Sequence, residues 1–376
     1  MNKGTIIYVG GFSLPDKNAA ANRVVSNGKL FKRLGYETVF LGTSYEDENF
    51  DSIRKIPGQE NMYEEPHPVT SSAWVRHLFD VEKIKTLVNE YKNVKMVILY
   101  NVPVITLFNV KRMFAGSGIK IIYDCTEWTK DTDGSFIKKV FKWTDEFFVS
   151  HFAHKLADGM IVISRMMEKA YKSNKKLLRL PPLVDTEDEI WHQTPEKNSG
   201  FEFCFAGIPD GKKESLDKVV EGFSLIDNSR ATLRIVGITS DEFKSLYPDL
   251  KINNEAFKKI TFMGKVSHKD AVKYILGCDC YLFIRQSDRR NNAGFPTKFA
   301  ESFTCSVPII TTDVSDVGEY IKKSGRGTVL NSICPEDISG AMSNQMNAYA
   351  SRGEAPDKTF YYASYISEAE KWFQLL

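Results

Sequence analysis

A lysine and a glutamate three residues apart at the start of a helix can hold an anion and a pair of hydroxyls on one face, and Lys298 and Glu301 have that spacing. Gly294 and Pro296 punctuate the approach, so a helix is predicted through Thr297, Lys298, Phe299, Ala300, Glu301 and Phe303. In its first turn Lys298 lies beside unpaired backbone N–H groups and the positive helix end, which favours a phosphate. Glu301, a turn further in, can accept hydrogen bonds from hydroxyls such as those of a ribose. Alone, such a pair is more often a surface ion pair. Here the apolar run Ile309-Ile310-Thr311-Thr312 follows, read as a buried parallel strand, with the polar loop 314–318 behind it. A helix that delivers charge to the end of a buried strand is how doubly wound α/β folds build nucleotide sites.

Alternating strands and helices must position these residues. In the second half, Phe201–Ala206 reads as a strand that meets Gly207 and a polar turn holding Gly211, Lys212 and Lys213. Strands follow at Thr232–Val236 before Gly237, Ile260–Met263 before Gly264, and Cys280–Ile284. Glycines at strand ends let backbone approach a ligand, and the lysines supply fixed positive charge, although such a turn is usually just solvated. In the first half, Thr5–Val9 ends at Gly10-Gly11, a helix starts near Ala19, and Thr38–Leu41 completes a βαβ unit. The glycine pair is not G-x-G-x-x-G and by itself reads as a tight turn.

Residues 44–69 lose all periodicity and read as a long surface loop; Trp74–Tyr91 reads as helix and Met96–Tyr100 as strand. The strand Lys120–Tyr123 runs into Asp124 and Glu127, at the end where α/β enzymes place functional groups; for Asp124 a helix-capping role stands equally beside a functional one. From Phe136 to Leu156 lysines alternate with Phe141, Trp143, Phe147, Phe148 and Phe152. Core packing of the aromatics is the expectation, with contact to a membrane surface as the rival.

Length and composition narrow the class. The 376 residues suit two domains, and 42% hydrophobic with 26% charged residues describes an ordinary globular chain. A net charge of +2 gives no field directed at nucleic acid. No apolar run approaches the ~20 residues that span a bilayer, so a cytoplasmic protein is expected, peripheral at the inner face of the membrane if it meets one. Six scattered cysteines read as reduced core thiols, and neither they nor the six histidines have metal-site spacing, so no metal and no cofactor are expected.

The run Gly294-Phe295-Pro296-Thr297-Lys298-Phe299-Ala300-Glu301-Ser302, followed by Val307-Pro308-Ile309-Ile310-Thr311-Thr312, resembles the retaining glycosyltransferases of family 4. So do Ala157-Asp158-Gly159, ending in Ser164, and Pro181-Pro182-Leu183-Val184-Asp185. The resemblance implies a GT-B fold: two Rossmann-like doubly wound parallel-sheet domains facing a cleft, with a C-terminal helix crossing back to the N-terminal domain. The corresponding boundaries are 1–185 for the acceptor domain, 186–200 for a linker, 201–355 for the donor domain and 356–376 for the returning helix.

It further implies that Glu301 binds the ribose, that Lys298 and Lys213 neutralise the leaving diphosphate, and that Gly10, Gly11, Gly207, Gly264, Val266 and Thr297 line the nucleotide site. Glu127 becomes the N-terminal candidate facing acceptor or sugar. Many members carry a second glutamate eight residues before Glu301, where this chain has Ala293; Arg289, Asn292, Gly294 and Phe295 are then the candidate sugar contacts. The implied reaction is metal-independent transfer from a nucleotide-sugar, taken as a UDP-sugar, to a glycan or lipid-linked hydroxyl in surface polysaccharide biosynthesis. A GT-B sugar-nucleotide epimerase and a non-catalytic nucleotide-binding partner subunit are the alternatives.

Overall fold

Short runs of Val, Ile, Leu and Phe, buried on both faces, form two parallel sheets in the computed structural model, which describes residues 2–45, 52–128, 136–195, 199–209, 211, 214–348 and 352–376. Each sheet organises one unit: Met1–Val184 with Tyr362–Leu376, and Asp185–Tyr361.

The first unit holds β1 (Gly4–Gly10), β2 (Tyr36–Ser44), β3 (Arg54–Lys55), β4 (Met62–Pro66), β5 (Val94–Tyr100), β6 (Lys120–Cys125), β7 (Gly159–Val162) and β8 (Leu177–Arg179). Their order is β3-β4-β2-β1-β5-β6-β7-β8, parallel except for the β3–β4 pair. The chain reverses its direction of growth between β1 and β5, where a doubly wound sheet opens a crevice at the strands' carboxyl ends. The region read as a loop over 44–69 therefore contains two strands, and β4 runs parallel to β2 from Phe40↔Met62 to Ser44↔Pro66. Its sequence MYEEP hid it, because the inward positions are Tyr63 and the charged Glu65. The stretch read as one helix over 74–91 is two, Ser71–Phe79 and Glu82–Glu90, broken at Asp80.

The second unit holds β9 (Phe201–Ala206), β10 (Ala231–Val236), β11 (Ile260–Phe262), β12 (Cys280–Phe283), β13 (Ile309–Thr312) and β14 (Gly327–Leu330). All pairs are parallel in the order β11-β10-β9-β12-β13-β14, which puts the switch point between β9 and β12. Phe203, Phe205, Leu233, Ile235, Leu282 and Ile310 fill one face against Val219, Phe223, Ile338 and Met342. The residues between Asp185 and β9 belong to this unit and include the short 3-10 helix Glu189–Trp191, whose indole is buried.

The helix Ile366–Leu375 returns to the first unit after a 3-10 turn at Tyr362–Tyr365. Phe373 stacks on Tyr36 at 4.6 Å and meets Phe31 edge-on at 5.6 Å, and the Trp372 indole donates to the Lys176 carbonyl at 2.9 Å.

The helix Phe136–Phe148 and the π-helical turn Val149–Ala153 do not bury their aromatics, contrary to the core-packing expectation. Trp143 is 70% exposed, and Phe141, Phe147, Phe148 and Phe152 are exposed as well. Trp74, Val75 and Phe79 on the helix Ser71–Phe79 and Phe108 on the helix Val104–Met113 are also exposed, and Trp74 meets Phe141 edge-on at 6.2 Å.

Candidate functional site

Three neighbouring strands of the second unit end in glycine. Gly207 follows β9, Gly237 follows β10 and Gly264 closes the turn after β11, with Gly207 N–H donating to the Val236 carbonyl at 2.8 Å and Gly237 N–H to the Gly264 carbonyl at 2.7 Å. A Cβ on Gly237, whose φ is +113°, would stand 2.2 Å from the Gly207 oxygen, so only glycine allows this backbone stack. The result is a floor of bare backbone at the carboxyl edge of the sheet.

Over that floor lies Lys298. A Cβ on Gly207 would be 2.0 Å from its Nζ, so the lysine occupies the space that the missing side chain leaves. Lys298 and Glu301 do share one face of the helix Thr297–Thr304, but they are not each other's partners. The Lys298 amine is 3.5 Å from Glu214 Oε1, and Glu301 Oε1 is 3.1 Å from His268 Nε2. The first N–H groups of this helix lie outside its hydrogen-bond ladder, as at any helix start, beside the lysine charge. Beneath, Phe295, Phe299, Phe303, Tyr320 and Phe360 form a cluster of rings with centroids 4.9–6.3 Å apart, which holds the helix on the sheet.

The structure separates the other sequence candidates. Thr297 and Val266 are half-buried, Val266 in the turn after Gly264. Gly294 accepts from the Ser315 hydroxyl at 2.5 Å, and Asn292 spends its amide on Ser287 Oγ (3.0 Å) and Ser315 N–H (2.9 Å), so both fix the loop after β13. Phe295 is corrected from sugar contact to core: it is 7% exposed and its ring belongs to the cluster beneath the helix. Arg289 is exposed, and Ala293 is fully buried. Lys213 lies outside the described residues. Sequence reading missed Glu214, Arg285 and His268, which come from distant strand ends; only the first carried a signal, as the acidic residue closing the lysine turn.

In the first unit, Gly10 closes β1 where a Cβ would collide with Tyr100 at 2.6 Å, whereas the space above Gly11 is open, with Tyr45 Oη 3.8 Å away. Glu127 is exposed just past β6, between two anchored neighbours: Thr126 N–H donates to Asn101 Oδ1 at 2.9 Å, and the Trp128 indole donates to Tyr171 Oη at 2.9 Å. Asp124 is neither a cap nor a site group. It is fully buried, accepts from Tyr8 Oη, and pairs with the Arg23 guanidinium at 3.2 Å, which in turn donates to the Leu180 carbonyl at 2.8 Å. Burial raises the Tyr8 pKa far above its ordinary value, so its hydroxyl remains a donor.

A cavity of about 190 Å³ opens at the β1/β5 switch point, lined by Gly10, Gly11, Tyr45, Trp74, Tyr100 and Asn101 among others. Glu65 at its wall is held by Lys83 and, at 3.4 Å, by His77. Burial acts to raise the Glu65 pKa, but the two partners outweigh it and hold the carboxyl below its usual range. The Tyr100 hydroxyl is pushed up to about 12 by burial. Among the described residues no group of three or more His, Cys, Asp or Glu could hold a metal ion, and no helix is long and apolar enough to cross a membrane.

Two doubly wound sheets, one with a cationic helix start beside its switch point, define an α/β protein of GT-B fold. The family model for glycosyl transferases group 1 matches residues 189–355, so the second unit carries a glycosyltransferase domain of that group. Solved structures agree on the fold over both units. Sucrose-phosphate synthase from Thermosynechococcus elongatus matches with TM-score 0.70 at 11% identity, covering 99% of this chain and 98% of that one. A glycosyltransferase from Rickettsia africae matches with TM-score 0.69 at 15% identity over 100% and 99% of the two chains. HepE from Anabaena, solved in complex with UDP, matches with TM-score 0.67 at 12% identity over 99% and 100%. No curated protein matches the chain in sequence.

Proposed function

We propose that the chain transfers a sugar from a UDP-sugar, with retention of anomeric configuration and without metal, to a hydroxyl of a glycan or lipid-linked acceptor in surface polysaccharide biosynthesis. The observation that carries this reading is the placement of Lys298 over Gly207: a cation on bare backbone, at a helix start, one turn before a carboxylate. Breaking the sugar–phosphate bond leaves negative charge on the diphosphate. Preorganised cations and helix N–H groups stabilise that charge by a few kcal/mol each, about 3 kcal/mol for a well-placed donor. Lys298 and Lys213 take this role, Glu301 receives the ribose hydroxyls, and the turn Gly264–Val266 receives the base. Uracil is favoured because the similarly folded Anabaena HepE was solved with UDP.

The acceptor hydroxyl belongs to the first unit. Its cavity beside Gly10 and Gly11 combines aromatic walls with the Glu65 carboxylate, a lining suited to a sugar ring, and Glu127 stands at the same sheet edge. The exposed aromatic face around Trp74, Trp143 and Phe148, interspersed with Lys139 and Lys142, supports peripheral contact with a membrane that presents the acceptor.

Thermal unfolding in the presence of UDP, GDP, ADP and TDP, without added metal, tests the donor assignment. UDP alone should raise the melting temperature of the native chain, and Lys298→Ala and Glu301→Ala should each abolish most of the rise. Equal shifts in all three proteins would refute the site.

A further inference from the structure

The Glu214 carboxylate is 7% exposed, and a single oxygen of it, Oε1, takes two cations: Arg285 Nη2 at 2.6 Å and Lys298 Nζ at 3.5 Å. Among the described residues, two cations against one carboxylate leave one positive charge unbalanced, in surroundings where an uncompensated charge is costly. The Arg285 side chain is only 13% exposed, and its buried Nε has no hydrogen-bond partner among the described residues. Its backbone is fixed on both sides. Arg285 N–H donates to Thr312 Oγ1 at 3.1 Å, Thr312 Oγ1 donates back to the Arg285 carbonyl at 2.6 Å, and Glu214 pairs with Arg285 as an isolated bridge. The guanidinium carbon lies 5.1 Å from the centroid of the Phe283 ring.

This arginine follows β12, while Gly207, over which the Lys298 amine lies, follows β9, so the two cations flank the switch point of the sheet. An ion pair built only for stability would balance its charges and satisfy its donors; among the described residues this one does neither.

We propose that Arg285 is a second diphosphate-binding cation of the donor site and that Glu214 is a positioning residue which holds Arg285 and Lys298 ready for it. The inference rests on the donor-site reading above and adds to it a residue from a different strand. The shorter contact keeps Arg285 aligned on Glu214, and the looser one lets Lys298 turn from Glu214 to the incoming phosphate, so the unbalanced charge is neutralised only when the diphosphate is bound. A planar guanidinium on a fixed stem also supplies geometry that a flexible lysine cannot.

The test compares UDP with uridine, which carries the same base and ribose and no phosphate, by calorimetry and NMR titration on the full chain. Arg285→Ala should weaken UDP binding at least tenfold and leave uridine affinity unchanged, and Arg285→Lys should recover only part of the loss. Glu214→Gln removes the carboxylate that holds both cations and should leave uridine binding intact while UDP binds several-fold more weakly; UDP affinity equal to or above that of the native chain would refute the positioning role. Unaltered uridine binding also certifies that each variant is folded. If Arg285→Ala, or Arg285→Lys should the alanine variant fail to fold, keeps the native ratio of UDP to uridine affinity, the assignment is overturned. Native protein that binds no UDP at all would instead overturn the donor-site reading on which it rests.

Discussion

Gly207→Ala is the substitution that most directly separates binding from stability. The added methyl would lie 2.0 Å from Lys298 Nζ, 2.7 Å from its Cε and 3.1 Å from its Cδ. Nonbonded contact requires about 3.5 Å, so the amine must retreat by roughly 1.5 Å, which is enough to break a charged hydrogen bond to a phosphate. The clashing atoms are the far end of a flexible, partly exposed side chain, so the contact itself costs the fold about 1 kcal/mol or less, while the Gly207 φ of +159° adds backbone strain that urea unfolding reads separately. A hydrogen bond to a charged group is worth about 1.5–3 kcal/mol, so UDP affinity should fall roughly 10- to 100-fold. Calorimetric titration with UDP, paired with urea unfolding, measures both quantities. The decisive comparison is a double-mutant cycle: with Lys298→Ala already in place, Gly207→Ala should cost little further affinity. An undiminished loss in that background would show that the methyl blocks the ligand itself and that the lysine is not the group displaced.

Gly237→Ala should behave oppositely, because its methyl meets the Gly207 carbonyl oxygen at 2.2 Å with φ at +113°; a loss of about 2–3 kcal/mol in urea unfolding is expected, and unchanged stability would refute the stacked-backbone account. Asp158 accepts from Ile121 N–H at 2.8 Å and Lys111 Nζ at 2.5 Å; although burial acts to raise its pKa, these partners lower it below the ordinary carboxylate value. Its stabilisation is therefore present above the unfolded pKa of about 4 and lost as pH falls through the lower folded value, so Asp158→Asn, discounted for solvent screening, should cost up to about 1 kcal/mol at pH 7 and less at pH 3. Equal losses at both pH values would count against the ionic account. Replacing Trp143 and Phe148 by serine should abolish flotation of the chain with anionic phosphatidylglycerol vesicles without lowering the melting temperature, since both side chains are exposed. Unaltered flotation of that variant, or none for the native chain, would dismiss membrane contact through this face.

Most of the parallel strands were legible because each is a short apolar run bounded by glycine or polar residues, though β14 was not read, and Lys298 and Glu301 because helix periodicity puts them on one face whatever lies beneath. β4 was not, since its inward Glu65 breaks the apolar pattern and is tolerated only through Lys83 and His77. Glu214 and Arg285 lie far apart in sequence and meet because β9 and β12 are neighbours, a fact of topology that local spacing does not encode. The helix Phe136–Phe148 shows a different limit: an amphipathic pattern says that one face is apolar and is silent on whether anything covers it. Trp143 and Phe148 read as core residues by that pattern and stand in the open.

The return of Tyr362–Leu376 to the first sheet makes that unit discontinuous, while Asp185–Tyr361 is one uninterrupted segment. During synthesis the second unit has all its residues before the first does. The ring of Phe373 over Tyr36 and Phe31 is then a late seal on an element made much earlier. Until it arrives, the nascent first unit carries an uncovered aromatic patch, and a protease that removes the returning helix would reopen it. Nicking near Tyr362 should thus register as loosening of the first unit's amides to hydrogen exchange, far from the cut in sequence.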